Sequence, residues 1–265
     1  MPDPAGPVEA AAADGLWRFG PDDAPILVEN ADLVLPYLPY YVSGWPFGWA
    51  GAGGAPDIRI SEEGDGTFRV RSSGPGDADL AFDNPYDAAN GLAGALISIH
   101  VARRPDTICL HAGAARVGSG LAVVIGDSFA DKSSVALHLA VLGHRFFSDD
   151  QIALTLGSPP VGTCLGLMPK VRTPLPEDCG DAFREFVDGY TALEGDGVAY
   201  LKLWDGEAGT FGETAPVRSL ILLDRRPEAA CELALAIGSD LMKTLVPTAF
   251  APHIAAADLL RGLAS

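Results

Sequence analysis

Residues 110–154 read LHAGAARVGSGLAVVIGDSFADKSSVALHLAVLGHRFFSDDQIAL, and the fold is decided in this stretch. Ile108 to Val117 has the apolar content of a strand, and Gly118-Ser119-Gly120 turns the chain. Leu121 to Ile125 is a solid apolar run, as expected of a strand buried in a parallel sheet. Gly126-Asp127-Ser128-Phe129-Ala130-Asp131-Lys132-Ser133 follows, a G-x-x-x-x-G-K-S pattern with aspartate in place of the second glycine. Val135 to Leu142 carries apolar residues at helical spacing and stops at Gly143. Arg145 to Ser148 reads as a short return strand that ends on Asp149-Asp150. Strand, loop, helix, strand and acidic pair come in the order of a nucleotide-binding site.

Transfer from ATP needs backbone donors around the phosphates, a lysine on their oxygens, a hydroxyl for Mg²⁺, and an acid to hold the metal or take a proton. Gly126, Asp127, Ser128 and Ser134 frame the loop, Lys132 and Ser133 supply the lysine and hydroxyl, and Asp149 and Asp150 supply the acids. Only 17 positions separate Lys132 from Asp149, enough for one helix and a return strand that brings the acids back beside the loop. The same residues also fit a serine-capped helix, a solvated lysine and an ordinary Asp-Asp turn. Asp131 weighs against ATP, because its repulsion of a phosphate at an effective dielectric near 20 is roughly 3–4 kcal/mol per charge pair. An outward turn of Asp131, or its use as a metal ligand, would remove that cost. His111 fits either a buried structural histidine or a site residue. Lys170 and Arg172 fit either a phosphate clamp or surface cations. His138 and His144 read as packing residues.

Composition narrows the partners. The 265 residues include 35 acidic and 18 basic side chains, a net charge of -17, which argues against nucleic acid and anionic membranes. No apolar run is long enough to span a bilayer, and the first residues lack the pattern of a secretory signal, so a cytoplasmic location is expected. Four cysteines without a C-x-x-C pair read as reduced, buried thiols.

Along the chain, residues 1–15 are rich in Ala, Pro and Asp and are expected to be disordered. Residues 16–103 form an N-terminal α+β portion. It has short strands or turns up to Tyr41 and a glycine-rich loop from Gly44 to Pro56, whose tryptophans fit a ligand cover but read better as core packing. A hairpin follows around Glu63-Gly64-Asp65-Gly66, then a helix from about Tyr86 to Ala102 in which Gly91 and Gly94 allow close approach. Residues 104–265 are expected to form one mixed α/β domain, the portion that holds the candidate site. There Gly162 to Pro176 reads as a loop, Ala182 to Val187 as a helical turn, Val198 to Trp204 and Leu220 to Leu223 as strands, and the end as helical.

Leu110-His111-Ala112, the loop from Gly126 to Ser133, and Gly143-His144-Arg145 followed by Asp149-Asp150 resemble the C-terminal catalytic domain of bacterial HPr kinase/phosphorylase and its relatives. The similarity covers about residues 108–155. The resemblance implies a P-loop kinase fold of the HPr kinase and phosphoenolpyruvate carboxykinase type. It also implies ATP and Mg²⁺ as cofactors and phosphorylation of a serine hydroxyl on a small protein or peptide. By position, Lys132 would bind phosphates, Ser133 the metal, one of Asp149 and Asp150 would be the base and the other a metal ligand, and His111 would line the site. The departure is Asp131, and no counterpart of the family's phosphorolysis stretch stands out. A small hydroxyl compound as substrate, a catalytically silent relative that binds a nucleotide or a partner, and assembly as a homo-oligomer all stay open.

Overall fold

A computed structural model describes residues 15–73, 77–127, 130–204, 206–226, 230–252 and 254–264. The expectation of disorder for the N-terminal segment concerns residues 1–14 and lies outside these, as does Ser128 of the loop. The chain divides into two compact units. One comprises the chain up to Pro39 with Trp45–Arg103, the other Tyr40–Gly44 with Arg104–Ser265.

In the first unit, strands β1 (Leu16–Phe19), β2 (Ile26–Glu29), β3 (Phe47–Gly51), β4 (Ile58–Glu62), β5 (Phe68–Ser72) and β6 (Ala78–Phe82) form one sheet, and helix α1 (Pro85–Ala102) packs on it. The sheet order is β3-β1-β2-β4-β5-β6. Ile60 pairs with Val70 across the expected hairpin, and both are buried. Asn84 caps α1 by accepting from the Asp87 N–H at 2.9 Å. A Cβ at Gly91 would stand 2.5 Å from the Phe82 ring, so this glycine does permit close approach, whereas Gly94 faces open space. The stretch expected as a loop from Gly44 to Pro56 contains edge strand β3. Its Phe47 stacks on Phe19 and its Trp49 meets Trp17 edge-on, contacts that outweigh the turn-prone glycines. Trp45 is buried as expected, but Trp49 is not.

The second unit runs β7 (Thr107–Leu110), β8 (Gly113–Val117), β9 (Gly120–Gly126), α2 (Lys132–Val141), β10 (Arg145–Ser148), β11 (Ile152–Thr155), β12 (Val161–Cys164) and β13 (Lys170–Arg172). It continues through α3 (Asp181–Tyr190), β14 (Thr191–Gly195), β15 (Val198–Leu201), β16 (Thr214–Leu223), α4 (Gly238–Thr248), β17 (Ala249–Phe250) and α5 (Ala256–Ala264). Eight strands form a mixed sheet in the order β10-β8-β9-β16-β12-β11-β7-β17, and β13, β15 and β14 make a small separate sheet. β9 is buried along its whole length and is parallel to β16, with Gly126 opposite Leu223. The architecture is mixed α/β. Among the described residues no helix is long and apolar enough to cross a membrane.

Three expectations need correction here. The single strand expected from Ile108 to Val117 is two, β7 and β8, with four other strands between them in the sheet. The chain breaks at His111-Ala112, where the His111 N–H donates to the Thr248 carbonyl at 3.0 Å and the Ala112 N–H to Asp150 O at 3.2 Å. The loop expected from Gly162 to Pro176 holds strands β12 and β13, because Val161 to Cys164 pair with β11 and Lys170 to Arg172 with β15. The turn expected from Ala182 to Val187 is a helix of 10 residues, α3, anchored in a core by Phe183 and Val187. The cysteines are all free, but only Cys109 and Cys164 are buried.

Gly113 fixes α2 against β8. A Cβ there would lie 2.8 Å from the Lys132 carbonyl oxygen and 3.3 Å from the Ala136 methyl. Backbone cannot yield cheaply, so Gly113→Ala is expected to destabilise by about 1–3 kcal/mol and to displace the first turn of α2. Denaturant unfolding checks this: an unchanged midpoint would show that the helix is free to shift.

Candidate functional site

The site is built where α2 begins. β9 delivers Gly126, whose own Cβ position is already crowded by Leu223 O at 3.1 Å and the Ala130 methyl at 3.0 Å. The loop then enters α2 through Asp131, which has φ 68°. That is the left-handed region where glycine costs nothing and aspartate is among the better tolerated residues. The Asp131 carboxylate forms an ion pair with Arg225. Lys132 opens the helix and is buried. Its ammonium donates to the carbonyls of Gly126 at 3.2 Å and Asp127 at 3.0 Å. Burial lowers the Lys132 pKa, opposed by the charges of Asp150 and Asp127. Ser133 Oγ donates to the Asp149 carbonyl oxygen at 3.0 Å, and this bond ties the helix to the acidic turn. Ser134 is half-buried in the first turn.

The acidic turn joins β10 to β11. Ser148 Oγ fixes it by donating to the carbonyls of Ala112 at 3.1 Å and Gln151 at 2.8 Å. Asp149 is 1% exposed; its Oδ2 accepts the Lys170 backbone N–H at 2.8 Å, and its Oδ1 is buried without a partner. Burial pushes the Asp149 pKa up from 3.8 to about 7, against the pull of Lys170. Asp150 is more open. Its Oδ2 accepts from Lys170 Nζ at 3.0 Å and its Oδ1 lies 3.3 Å from His111 Nε2. Burial works against the Lys170 charge, yet Asp150 and Asp149 outweigh it and hold its pKa above the usual value. Partial burial of His111, aided by Lys132 and Lys170, lowers its pKa despite Asp150.

A pocket of about 310 Å³ opens beside these groups, lined by His111, Gly126, Lys132 and the segment Pro247 to Phe250. Asp131 is not part of that lining. Ser133, Asp149, Asp150 and Lys170 are outside it too: they form a chain of contacts, Ser133 to Asp149, Asp149 to Lys170, Lys170 to Asp150, that reaches the pocket at His111. His111 is half exposed at the break after β7 rather than buried in a strand beside the central one. Arg172 lies exposed two residues beyond Lys170 on β13. His138 is exposed on α2 with its ring 4.2 Å from Phe183, a packing contact.

Two features were missed from sequence. Pro247 to Phe250 gave no signal, since their place depends on β17 pairing with β7. Arg225 did have one. It follows a strand, and neighbouring parallel strands end side by side, so the residues after Leu223 fall next to the loop after Gly126.

No protein family matches the chain, and no curated protein does. Among solved structures it is similar to the HPr(Ser) kinase/phosphatase from Coxiella burnetii. That match has 18% identity, covers 47% of this chain and 70% of that one, and has a TM-score of 0.28. So weak a likeness adds nothing to the argument from the site.

Proposed function

We propose that the second unit is an ATP-dependent kinase of the HPr-kinase type that phosphorylates a hydroxyl on a small protein or peptide. One observation carries the reading: a buried lysine at a helix N-terminus lies in the field of Asp150, and the next residue, Ser133, is bonded to the carbonyl of Asp149, whose fully buried side chain has an oxygen unpartnered. An anion at this position would meet the first N–H groups of α2, which have no partner within the helix, together with its dipole. The donor set fits Mg·ATP. Among the described residues no three acidic, histidine or cysteine side chains gather to hold a metal by themselves. Mg²⁺ beside phosphates needs only one or two protein oxygens, and Ser133 and Asp149 would provide them. When bound, ATP supplies the phosphoryl group.

The protein's own part is electrostatic and positional. Lys132 exchanges its two loop carbonyls for phosphate oxygens. Asp150, the more open of the two acids, takes the proton from the substrate hydroxyl. Lys170 holds the Asp150 carboxylate through one oxygen, and His111 lies beside the other. Asp149 keeps Lys170 anchored through the backbone N–H. The test is label transfer from γ-labelled ATP to serine-containing peptides and small proteins. Phosphoserine is expected with the wild type; label on no hydroxyl acceptor, with ATP bound, would contradict the kinase reading.

A second reading is a silent relative that binds a nucleotide or a partner protein without transfer. The engagement of Lys132 with its own loop favours it, since the ammonium already has two acceptors. Lys132→Met keeps the buried stem and removes the charge. Nucleotide affinity is expected to fall about 10- to 100-fold, the scale of one to two charge-assisted hydrogen bonds. Calorimetry and a melting curve on the same variant check this; an unchanged affinity would make Lys132 a purely structural residue.

A further inference from the structure

Asp131 stands where a phosphate loop of this pattern carries glycine, and it poses two problems. The backbone problem is mild, because aspartate tolerates the left-handed conformation it adopts, φ 68°. The charge problem is larger: Asp131 lies outside the pocket lining, yet a carboxylate one residue before Lys132 adds negative charge at the helix start that a polyphosphate would approach. The structure holds that carboxylate on the Arg225 guanidinium, at 94 residues' separation in sequence. The encounter follows from the sheet, since β16 runs parallel to β9 and ends with Leu223 opposite Gly126, so the chain beyond each strand emerges on the same side.

Building on the kinase reading, we infer that Arg225 is a positioning residue of the phosphate site: it pairs with Asp131, cancels the charge at the glycine position and lets a nucleoside triphosphate approach Lys132. Arg225 acts through Asp131 and does not itself hold phosphate. Asp131 without Arg225 is worse than the two together, and once Asp131 is gone Arg225 makes no difference. Both side chains are about half exposed or more, so the compensation is partial and weakens as salt rises.

A double-mutant cycle tests this, using Arg225→Ala, Asp131→Gly and the double variant titrated with ATP, ADP, AMP and adenosine in Mg²⁺. Arg225→Ala is expected to weaken ATP about tenfold, ADP less and adenosine not at all, because the freed charge acts on phosphates. Asp131→Gly should bind ATP at least as well as the wild type, and in that background Arg225→Ala should change nothing. An ATP affinity indifferent to Arg225→Ala would overturn the inference. So would a double variant as weak as Arg225→Ala alone, since Arg225 would then touch phosphate directly. A general structural role would weaken adenosine as much as ATP, which also sinks it. Should Arg225→Ala fail to fold, Arg225→Gln with Asp131→Asn supplies the same cycle with smaller changes. A wild type that binds no nucleotide at all refutes the kinase reading itself, a different result from any of these.

Discussion

Asp149→Asn is expected to stabilise the protein at alkaline pH and, on the kinase reading, to cut phosphoryl transfer at least ~100-fold. The folded state raises the carboxyl pKa from 3.8 to about 7, so it holds the proton more tightly than the unfolded chain does. The resulting stability is fully present below pH 3.8 and is lost as pH rises through about 7. Above that, the wild type carries a buried charge that asparagine lacks. At ~1.4 kcal/mol for each tenfold change in acidity, the penalty is at most on the order of 4 kcal/mol, with relaxation around the group lowering it. The stability gap between variant and wild type should therefore shift in favour of asparagine by about 2–4 kcal/mol between pH 4 and pH 8. Measuring the gap at both pH values cancels any fixed cost of the amide. A gap that does not move with pH would show that Asp149 is ionised at ordinary cost. A buried carboxyl kept with one oxygen unpartnered costs stability, as groups at functional sites often do.

Asp150→Asn acts on the other acid, and its effect falls on rate. Asp150 is held at 3.0 Å by Lys170 with His111 Nε2 3.3 Å away, and asparagine fits the same space without basicity. Loss of a positioned base costs about 10²–10⁴-fold, so phosphoryl transfer should drop at least 100-fold while ATP affinity stays within a few-fold. Single-turnover transfer separates the two quantities. Full activity in this variant would mean that the pair is only a turn.

Much of the site was legible because its signals are local. The apolar run from Leu121 to Ile125, the Lys132-Ser133 start of α2, the stop at Gly143 and the Asp149-Asp150 turn all lie within one continuous stretch, and each has its own residue chemistry. What the sequence hid depends on pairing between distant segments. Nothing in the apolar residues around His111-Ala112 marks a break, since it arises when Thr248 and Asp150 take the backbone donors of that dipeptide. β3 was hidden by its glycines and is held by aromatic contacts to β1. β13 was hidden by neighbouring prolines, yet it carries Lys170 to the two acids. The Asp131–Arg225 pair depends on the parallel alignment of β9 and β16, which no short window contains.

The central claim is that the N-terminus of α2 and its pocket bind Mg·ATP. Isothermal calorimetry on the wild type, with and without Mg²⁺, tests it most directly. Saturable binding at one site per chain, strengthened by Mg²⁺ and weakened at least tenfold in Lys132→Met, is the predicted result. Absence of heat and of any thermal shift at millimolar Mg·ATP, with the protein folded, would contradict it.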